Sequence, residues 1–255
     1  VVNDYNGTSD ASDTYDVGET VVTWTVTDIH GNTSTDTQVI TIMDEEAPII
    51  TSAPDQIQES NSNSCDAQVT VTGPVATDNC AIADVTNDYN GTSNASDTYP
   101  VGTTIVTWTA TDIYGNEATD TQEITVTDDE LPTITAAGDQ VQNADLGQCY
   151  AQVTVASPAT SDNCGVATLV NDYNGTSDAS DTYDVGETVV TWTVTDIHGN
   201  TSTDTQVITI MDEEAPIITS APDQIQESNS NSCDAQVTVT GPVATDNCAI
   251  ADVTN

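Results

Sequence analysis

The sequence predicts an all-β protein built from tandem β-sandwich domains, and three observations carry that prediction. The hexapeptide that starts at Asn3 returns at Asn87 and Asn171, so the chain repeats with a period of 84 residues (87 − 3 = 171 − 87 = 84). Within each period, apolar residues alternate with threonine and other polar residues, which is typical of strands with one buried face. Turn-rich stretches separate these segments at a spacing that suits a seven-stranded sandwich.

Three segments of the repeat that starts near residue 44 show the alternation, and no helix is expected. The core has to be built from valine, isoleucine, alanine and one tryptophan per repeat, because phenylalanine is absent. Ile113-Tyr114-Gly115-Asn116 predicts a tight hairpin loop. The residues predicted to face the core are Ala67, Val69 and Val71, then Val106, Trp108 and Ala110, then Ile124 and Val126.

Acidic segments that end in proline mark the boundaries between repeats, at 44–48, 128–132 and 212–216. We therefore place complete domains at 44–127 and 128–211. The C-terminal half of a repeat at 1–43 and the N-terminal half of another at 212–255 flank them, so the chain is interpreted as a fragment. Short connections stiffened by proline predict an elongated, semi-rigid rod.

Alternate repeats are identical copies, because residues 2–87 recur without a change at 170–255. An active site needs one well-placed set of side chains, whereas a spacer or a multivalent surface gains from every added copy. No pattern places a base beside a nucleophile. We therefore expect length or avidity to be the function and expect no enzymatic activity.

The charge of the chain is extreme. It contains 42 acidic residues and no lysine or arginine, for a formal net charge of −42. Nucleic acid is excluded as a partner, because the phosphate backbone requires basic contacts. No apolar run is long enough to span a membrane. Neighbouring carboxylates repel one another unless cations screen or bridge them, so we expect cations to affect stability.

Two cysteines per repeat, in a chain dense in threonine, serine and asparagine, predict structural disulfides and an oxidising compartment. A local pairing joins Cys65 to Cys80, Cys149 to Cys164 and Cys233 to Cys248. It closes loops of about 16 residues, worth roughly 3 kcal/mol each.

A staggered pairing instead joins Cys65 to Cys164 and Cys149 to Cys248. An extended strand between Cys65 and Cys80 would hold them some 20 Å apart, at about 3.3 Å per residue, and so would forbid the local bond. Gly73-Pro74 could turn the chain back, and for that reason we favour the local pairing.

In such a sandwich, the start of a domain, its second-to-third strand loop and its last hairpin loop share one end. The acidic and amide residues at these places supply the oxygen ligands that Ca²⁺ prefers. The predicted calcium ligands at the junctions are Asp44, Glu45, Glu46, Asp78, Asn79, Asp112 and Asn116 in one domain, and Asp128, Asp129, Glu130, Asp162, Asn163, Asp196 and Asn200 in the next.

The alternative is that these residues only stabilise turns through local hydrogen bonds. The same two interpretations apply to the acidic loop from Asp4 to Asp10, where we favour the turn. His30 and His198 occupy the position that Tyr114 fills in the middle repeat, so we interpret them as exposed loop residues.

Four motifs, in fixed order and at a fixed period, resemble the hyalin repeat (HYR), an immunoglobulin-like extracellular module. They are Ala76-Thr77-Asp78-Asn79-Cys80, then Tyr99-Pro100-Val101-Gly102-Thr103-Thr104 leading into Val106-Thr107-Trp108-Thr109, then Thr111-Asp112 with Gly115-Asn116, then Ile124-Thr125-Val126. Many members carry further cysteines near the first and last strands, where this chain has Thr51 or Ser52 and Thr121. A disulfide between the terminal strands is therefore not expected.

The resemblance implies immunoglobulin-like, fibronectin III-like domains in a stalk or adhesive segment of a large extracellular surface protein. Giant gliding adhesins of Bacteroidota are similar in composition, which implies a bacterial outer surface and a role in attachment or gliding motility. The implied partners are surface or glycan ligands and neighbouring repeats. The alternative is a calcium-dependent spacer or carbohydrate-binding accessory module of a secreted enzyme.

Overall fold

A computed structural model of the chain describes residues 1–254, and these residues form strands joined by turns and loops. Within this range no helix has the length and apolar character needed to cross a lipid bilayer. The described residues form two compact units. The first contains Val1–Glu59 and Asp66–Thr127, and the second contains Ser60–Cys65 and the chain from Asp128 onward.

The first unit contains eleven strands among its described residues. They are β1 (Val2–Asn3), β2 (Gly18–Thr27), β3 (Thr33–Ile42), β4 (Ile49–Thr51), β5 (Gln56–Glu59), β6 (Asp66–Val69), β7 (Val75–Thr77), β8 (Ile82–Asn87), β9 (Asp97–Pro100), β10 (Gly102–Asp112) and β11 (Glu117–Thr127). Strands β1 to β3 form one antiparallel sheet. The repeat 44–127 contains a four-stranded sheet in the order β5-β11-β10-β8 and the two pairs β4-β7 and β6-β9.

The repeat 44–127 has eight strands rather than the predicted seven, because the chain changes sheets at Val101. Strand β9 pairs with β6, whereas β10 pairs with β8 and β11. Gly102 follows with φ 116°, a left-handed value that side chains avoid. The predicted hairpin loop is confirmed: β10 and β11 are joined at Ile113–Asn116, and Gly115 has φ 95°.

The core of this repeat is formed by the residues that the alternation predicted. Ala67, Val106 and Trp108 are completely buried, and Ile124 and Val126 are 1% exposed. The indole Nε1 of Trp108 donates to Oε1 of the buried Gln122 at 3.2 Å, and the amide of Gln122 donates to the Pro54 carbonyl at 2.9 Å. These bonds satisfy polar atoms that would otherwise be costly to bury.

The second unit repeats this architecture in residues 128–211. Its described strands are β12 (Thr133–Thr135), β13 (Gln140–Asn143), β14 (Tyr150–Val153), β15 (Ala159–Ser161), β16 (Val166–Asn171), β17 (Asp181–Asp184), β18 (Gly186–Asp196), β19 (Thr201–Met211), β20 (Ile217–Thr219) and β21 (Val243–Thr245). The sheets are β13-β19-β18-β16, β12-β15, β14-β17 and β20-β21. Trp192, Val190 and Ala151 are completely buried in its core. The prediction of an all-β fold with tandem sandwich-like domains is confirmed.

Candidate functional site at the start of each repeat

The structure joins cysteines of consecutive repeats. Cys65 is bonded to Cys164 and Cys149 to Cys248, each pair separated by 99 residues in sequence with Cα atoms 4.7 Å apart. The local pairing that we favoured is therefore wrong, and the staggered alternative is the one observed. Cys80 and Cys233 are free thiols.

Sheet topology explains why the local bond does not form. Strand β6 follows Cys65 and pairs with β9, whereas β7 precedes Cys80 and pairs with β4. The chain at Gly73-Pro74 thus passes from one strand pair to another and does not return along β6. The chain reversal on which the local pairing depended is therefore absent, because β7 does not pair with β6.

The loop that carries each linking cysteine is held by the acidic start of the following repeat. The Gly147 backbone amide donates to Oε2 of Glu214 at 2.8 Å. The same bond joins the Asn63 amide to Oε2 of Glu130 at 2.8 Å, one period earlier. Asn63 and Gly147 have φ 58° and 73°, in the left-handed region that asparagine and glycine tolerate.

An asparagine next to the second cysteine makes a further contact with this loop. Nδ2 of Asn163 donates to the Ser64 carbonyl at 3.0 Å, and Nδ2 of Asn247 donates to the Gln148 carbonyl at 2.8 Å. The two linked cysteines are therefore positioned by the same pair of hydrogen bonds in both copies. This recurrence shows that the staggered bond is built into the repeat.

Three carboxylates meet beside Asn163. Oxygen atoms of Asp128, Asp162 and Asp196 lie within 4.8 Å of one another. Asp128 and Asp196 are 6% and 2% exposed, and Asp162 is half-buried. They come from the start of the repeat, the loop between β15 and β16, and the end of β18, which are the three places that sequence analysis brought together.

Some of these carboxylate oxygens have donors and some have none among the described residues. Oδ1 of Asp128 accepts from Nδ2 of Asn163 at 3.0 Å and from the Glu130 amide at 3.3 Å, and Oδ2 of Asp162 accepts from the Cys164 amide at 2.9 Å. The unpartnered buried oxygens are Oδ2 of Asp128, Oδ1 of Asp162 and Oδ1 of Asn163.

Asp196 is fully engaged by the hairpin loop that follows it. Its Oδ1 accepts from the amides of His198 and Asn200, both at 2.8 Å, and its Oδ2 accepts from Nδ2 of Asn200 at 2.8 Å. Burial by itself raises the pKa of Asp196, but the donors of Asn200, His198 and Gly199 together hold it below its ordinary value. Asp196 is therefore an ionised carboxylate at neutral pH.

The preceding repeat has the same arrangement with one difference. Oxygens of Asp44 and Asp78 and the free thiol of Cys80 lie within 4.8 Å of one another. Oδ2 of Asp44 and Oδ1 of Asp78 are again buried without a donor, and Asp112 is 2% exposed. A hydrogen bond with Asp44, then burial and nearby carboxylates, raise the pKa of Cys80 to about 11.

Other predicted ligands have different roles. Asn116 and Asn200 donate from Nδ2 to the backbone carbonyls of Asp44 and Asp128, at 3.1 and 3.0 Å. Nδ2 of Asn79 donates to Oδ1 of Asp44 at 3.3 Å. Glu45, Glu46 and Asp129 are exposed, and Glu130 accepts from the amide of Asn63.

The loop from Asp4 to Asp10 is a turn organised by the buried Asn3, which sequence analysis used only to mark the period and to which it assigned no structural role. Oδ1 of Asn3 accepts from the Asn6 amide at 2.9 Å, and Nδ2 of Asn3 donates to the Thr8 carbonyl at 2.8 Å. The same bonds recur at Asn87 and Asn171. The exact return of this asparagine in every repeat was the available signal.

His198 is exposed, as predicted, and lies within 4.8 Å of the sulfurs of Cys65 and Cys164. Those sulfurs are bonded to each other and so offer no thiolate to a metal.

Comparison with known sequences identifies the repeat. The sequence profile of the HYR domain matches residues 43–126 and 127–210. Hyalin of Strongylocentrotus purpuratus is 31% identical over 255 residues, covering 96% of this chain and 21% of hyalin. Hyalin of Lytechinus variegatus is 33% identical over 248 residues, covering 94% of this chain and 46% of that protein. The chain thus spans less than half the length of these relatives.

Solved structures of tandem cadherin domains are also similar at low identity. Drosophila N-cadherin EC1-4 has a TM-score of 0.36 at 12% identity, covering 77% of this chain and 59% of that one. Protocadherin Gamma B2 domains 1-5 have a TM-score of 0.36 at 14% identity, covering 90% and 52%.

Proposed function

The chain belongs to the HYR domain family, and we propose that it is a covalently reinforced stalk and adhesive segment of a large extracellular surface protein. The proposal includes attachment to surface or glycan ligands through many equivalent repeats. Attachment during gliding at a bacterial surface is the specific setting that its composition favours.

The observation that carries the proposal is the disulfide that joins consecutive repeats. Cys149 and Cys248 lie in different repeats, and the bond between them closes a ring of covalent structure around the junction. A single peptide-bond break within that ring leaves the protein in one piece. Such reinforcement is useful to a protein that carries tension, and it requires the oxidising conditions found outside the cytoplasm.

Identical alternate repeats support the same function. Residues 2–87 and 170–255 are identical, and multivalent attachment gains from added copies through effective concentration without any new contact. The relatives named hyalin and the HYR match agree with an extracellular structural module rather than an enzyme. No observation favours the alternative of an accessory module attached to a catalytic domain.

Deletion by whole periods in cells that make the full protein tests the proposal. Removing 168 residues, which is two periods, keeps the junction between alternate repeats intact. We expect weaker retention of the cells on a surface under flow, because reach and binding sites are both lost. Unchanged retention after several such deletions would contradict the function.

Two matched variants separate the stalk from the adhesive role. Replacing the deleted repeats by a glycine-serine linker of equal residue number supplies chain without sandwiches or disulfides. Restored retention would show that length alone matters, and a failure to restore it would show that the folded repeats are required. A Cys149→Ser, Cys248→Ser variant tests the bond alone and is expected to detach at lower flow.

A further inference from the structure

We propose that Asp128, Asp162 and Asp196, together with the amide oxygen of Asn163, form a Ca²⁺ site at the start of the repeat 128–211. The proposal goes beyond the stalk function, because it concerns a ligand of the repeat itself. It rests on the position, burial and unmet hydrogen-bonding capacity of these side chains.

The geometry fits a single coordination sphere. Calcium ligands lie about 2.3–2.6 Å from the ion, so two ligands on opposite sides of it are up to roughly 5 Å apart. Oxygens of the three carboxylates lie within 4.8 Å of one another. One ion can therefore contact all three, and water can fill the remaining positions of a coordination shell of about six to eight.

Burial supplies the second argument. Asp128 is 6% exposed, and its Oδ2 has no donor among the described residues. Oδ1 of Asp162 and Oδ1 of Asn163 are buried beside it without donors. A buried oxygen without a partner costs about 1–3 kcal/mol, and more when it is charged. Three such oxygens in one place indicate that a cation completes the site.

The chain itself offers no cation for this purpose. It contains no lysine or arginine, so a carboxylate cannot be compensated by a basic side chain from another repeat. His198 follows Asp196 in the same loop but is exposed. A metal ion from outside is therefore the group that can offset the repulsion among these carboxylates.

The donors that are present fix the carboxylates in place. Asp196 is held by its hairpin loop, Asp162 by the amides of Cys164 and Gly165, and Asp128 by Asn163. Each of these bonds uses atoms other than the unpartnered Oδ2 of Asp128 and Oδ1 of Asp162. A rigid set of hard oxygen ligands favours Ca²⁺ over softer metals.

Calcium titration of the full chain tests the proposal by isothermal calorimetry, after chelation and dialysis into sodium chloride of fixed ionic strength. The wild-type chain is expected to bind Ca²⁺ saturably. Asp162→Asn is expected to bind one equivalent of Ca²⁺ less than the wild type, because the substitution removes the negative charge. The asparagine side-chain oxygen can still accept from the backbone amides of the loop. Asp129→Asn is the matched control: it removes the same charge from an exposed neighbour and should keep every equivalent.

Two results would overturn the proposal. One is equal calcium stoichiometry in Asp162→Asn and the wild type, and the other is non-saturable binding that Asp129→Asn weakens equally. Circular dichroism and non-reducing mass mapping of the Cys65–Cys164 bond establish that the variant is folded. Should Asp162→Asn fail this check, Asp128→Asn replaces it, since its amide oxygen can still accept from Asn163. Cell attachment is not measured, so failure here leaves the stalk function standing.

Discussion

Residues 2–43 and 170–211 have the same sequence but different surroundings, and the difference separates local from long-range causes of the fold. The hairpins β2-β3 and β18-β19 have the same register. Gly18 lies opposite Ile42 in the first hairpin, and the equivalent Gly186 lies opposite Ile210 in the second. Burial differs: Trp192 is completely buried and Trp24 is half-buried. Val194 is 0% exposed and Val26 is 47% exposed.

The identical pair 44–87 and 212–255 shows the converse. Strands β20 and β21 form as β4 and β7 do, because each pair is complete within the half-repeat. The copies of β5 and β6 are not strands in the described range, and Val237 is 43% exposed where Val69 is 1% exposed. Their partners β11 and β9 belong to the other half of a repeat. The hairpin is thus local, whereas the core needs both halves.

The largest expected effect is the difference between two tryptophan truncations. Trp192→Ala should lower the free energy of unfolding by about 3–5 kcal/mol, because it leaves a cavity in a fully buried core. Trp24→Ala, the same change in the same local sequence, should cost roughly 1 kcal/mol. Denaturant unfolding followed by circular dichroism measures both.

A copy of residues 128–169 placed directly before Val2 sharpens this test. It supplies the half-repeat that precedes the identical residues 170–211. The decrease in unfolding free energy caused by Trp24→Ala should then rise to that caused by Trp192→Ala. The fluorescence emission of Trp24 should shift to shorter wavelengths. Equal costs of the two truncations without the added copy would show that the half-repeat packs as well as the complete one.

The second prediction concerns how far the chain extends under tension. It compares the residues enclosed by the two disulfides with the residues outside them. When the chain is pulled from its termini, the bonds Cys65–Cys164 and Cys149–Cys248 carry the load, and between them it passes only along residues 149–164. Reduction should release roughly 170 further residues, or about 570 Å at some 3.4 Å per residue. Single-molecule force spectroscopy with and without reductant measures this length. A gain of only about 150 Å would indicate the local pairing instead.

Sequence reasoning found the alternating core and the hairpin loop from period and turn chemistry, and it brought Asp128, Asp162 and Asp196 together from the order of loops in a sandwich. It chose the wrong disulfides, because the choice depended on whether Gly73-Pro74 reverses the chain. That is decided by the pairing of β6 with β9 and of β7 with β4, which are contacts distant in sequence. Buried Gln122 and Asn87 were not anticipated, since a polar residue on a strand ordinarily faces solvent.

The third prediction compares the two free thiols. Alkylation of the unreduced chain should label Cys233 rapidly and Cys80 slowly, because Cys233 is exposed and the raised pKa of Cys80 leaves little thiolate. The other four cysteines should stay unlabelled until reduction. Asp44→Asn should speed the labelling of Cys80, since it removes the Asp44 charge that helps to raise this pKa and leaves a weaker, neutral acceptor for the thiol. Mass mapping that finds Cys80 already paired with Cys65 would contradict the assignment.

The smallest expected effect is on the pH dependence of stability, and it compares Asn200 with Asn32. Nδ2 of each donates to the aspartate four residues earlier, at 2.8 Å to Asp196 and 2.7 Å to Asp28. The pKa of both aspartates is lowered in the folded state, so their contribution is present above the ordinary value of 3.8 and is lost as the pH falls through the folded value.

Asn200→Ala should therefore destabilise the protein at neutral pH and differ less from the wild type once the pH has fallen through the lowered pKa of Asp196, where this carboxylate becomes protonated in the folded wild type as well. For Asn32→Ala, the loss of unfolding free energy should depend on pH in the same way but with a smaller amplitude, because water screens the charge of the exposed Asp28. Free energies of unfolding in denaturant across this pH range provide the measurement. A pH-independent loss in Asn200→Ala would assign the effect to the hydrogen bond with the Asp128 carbonyl rather than to the charge of Asp196.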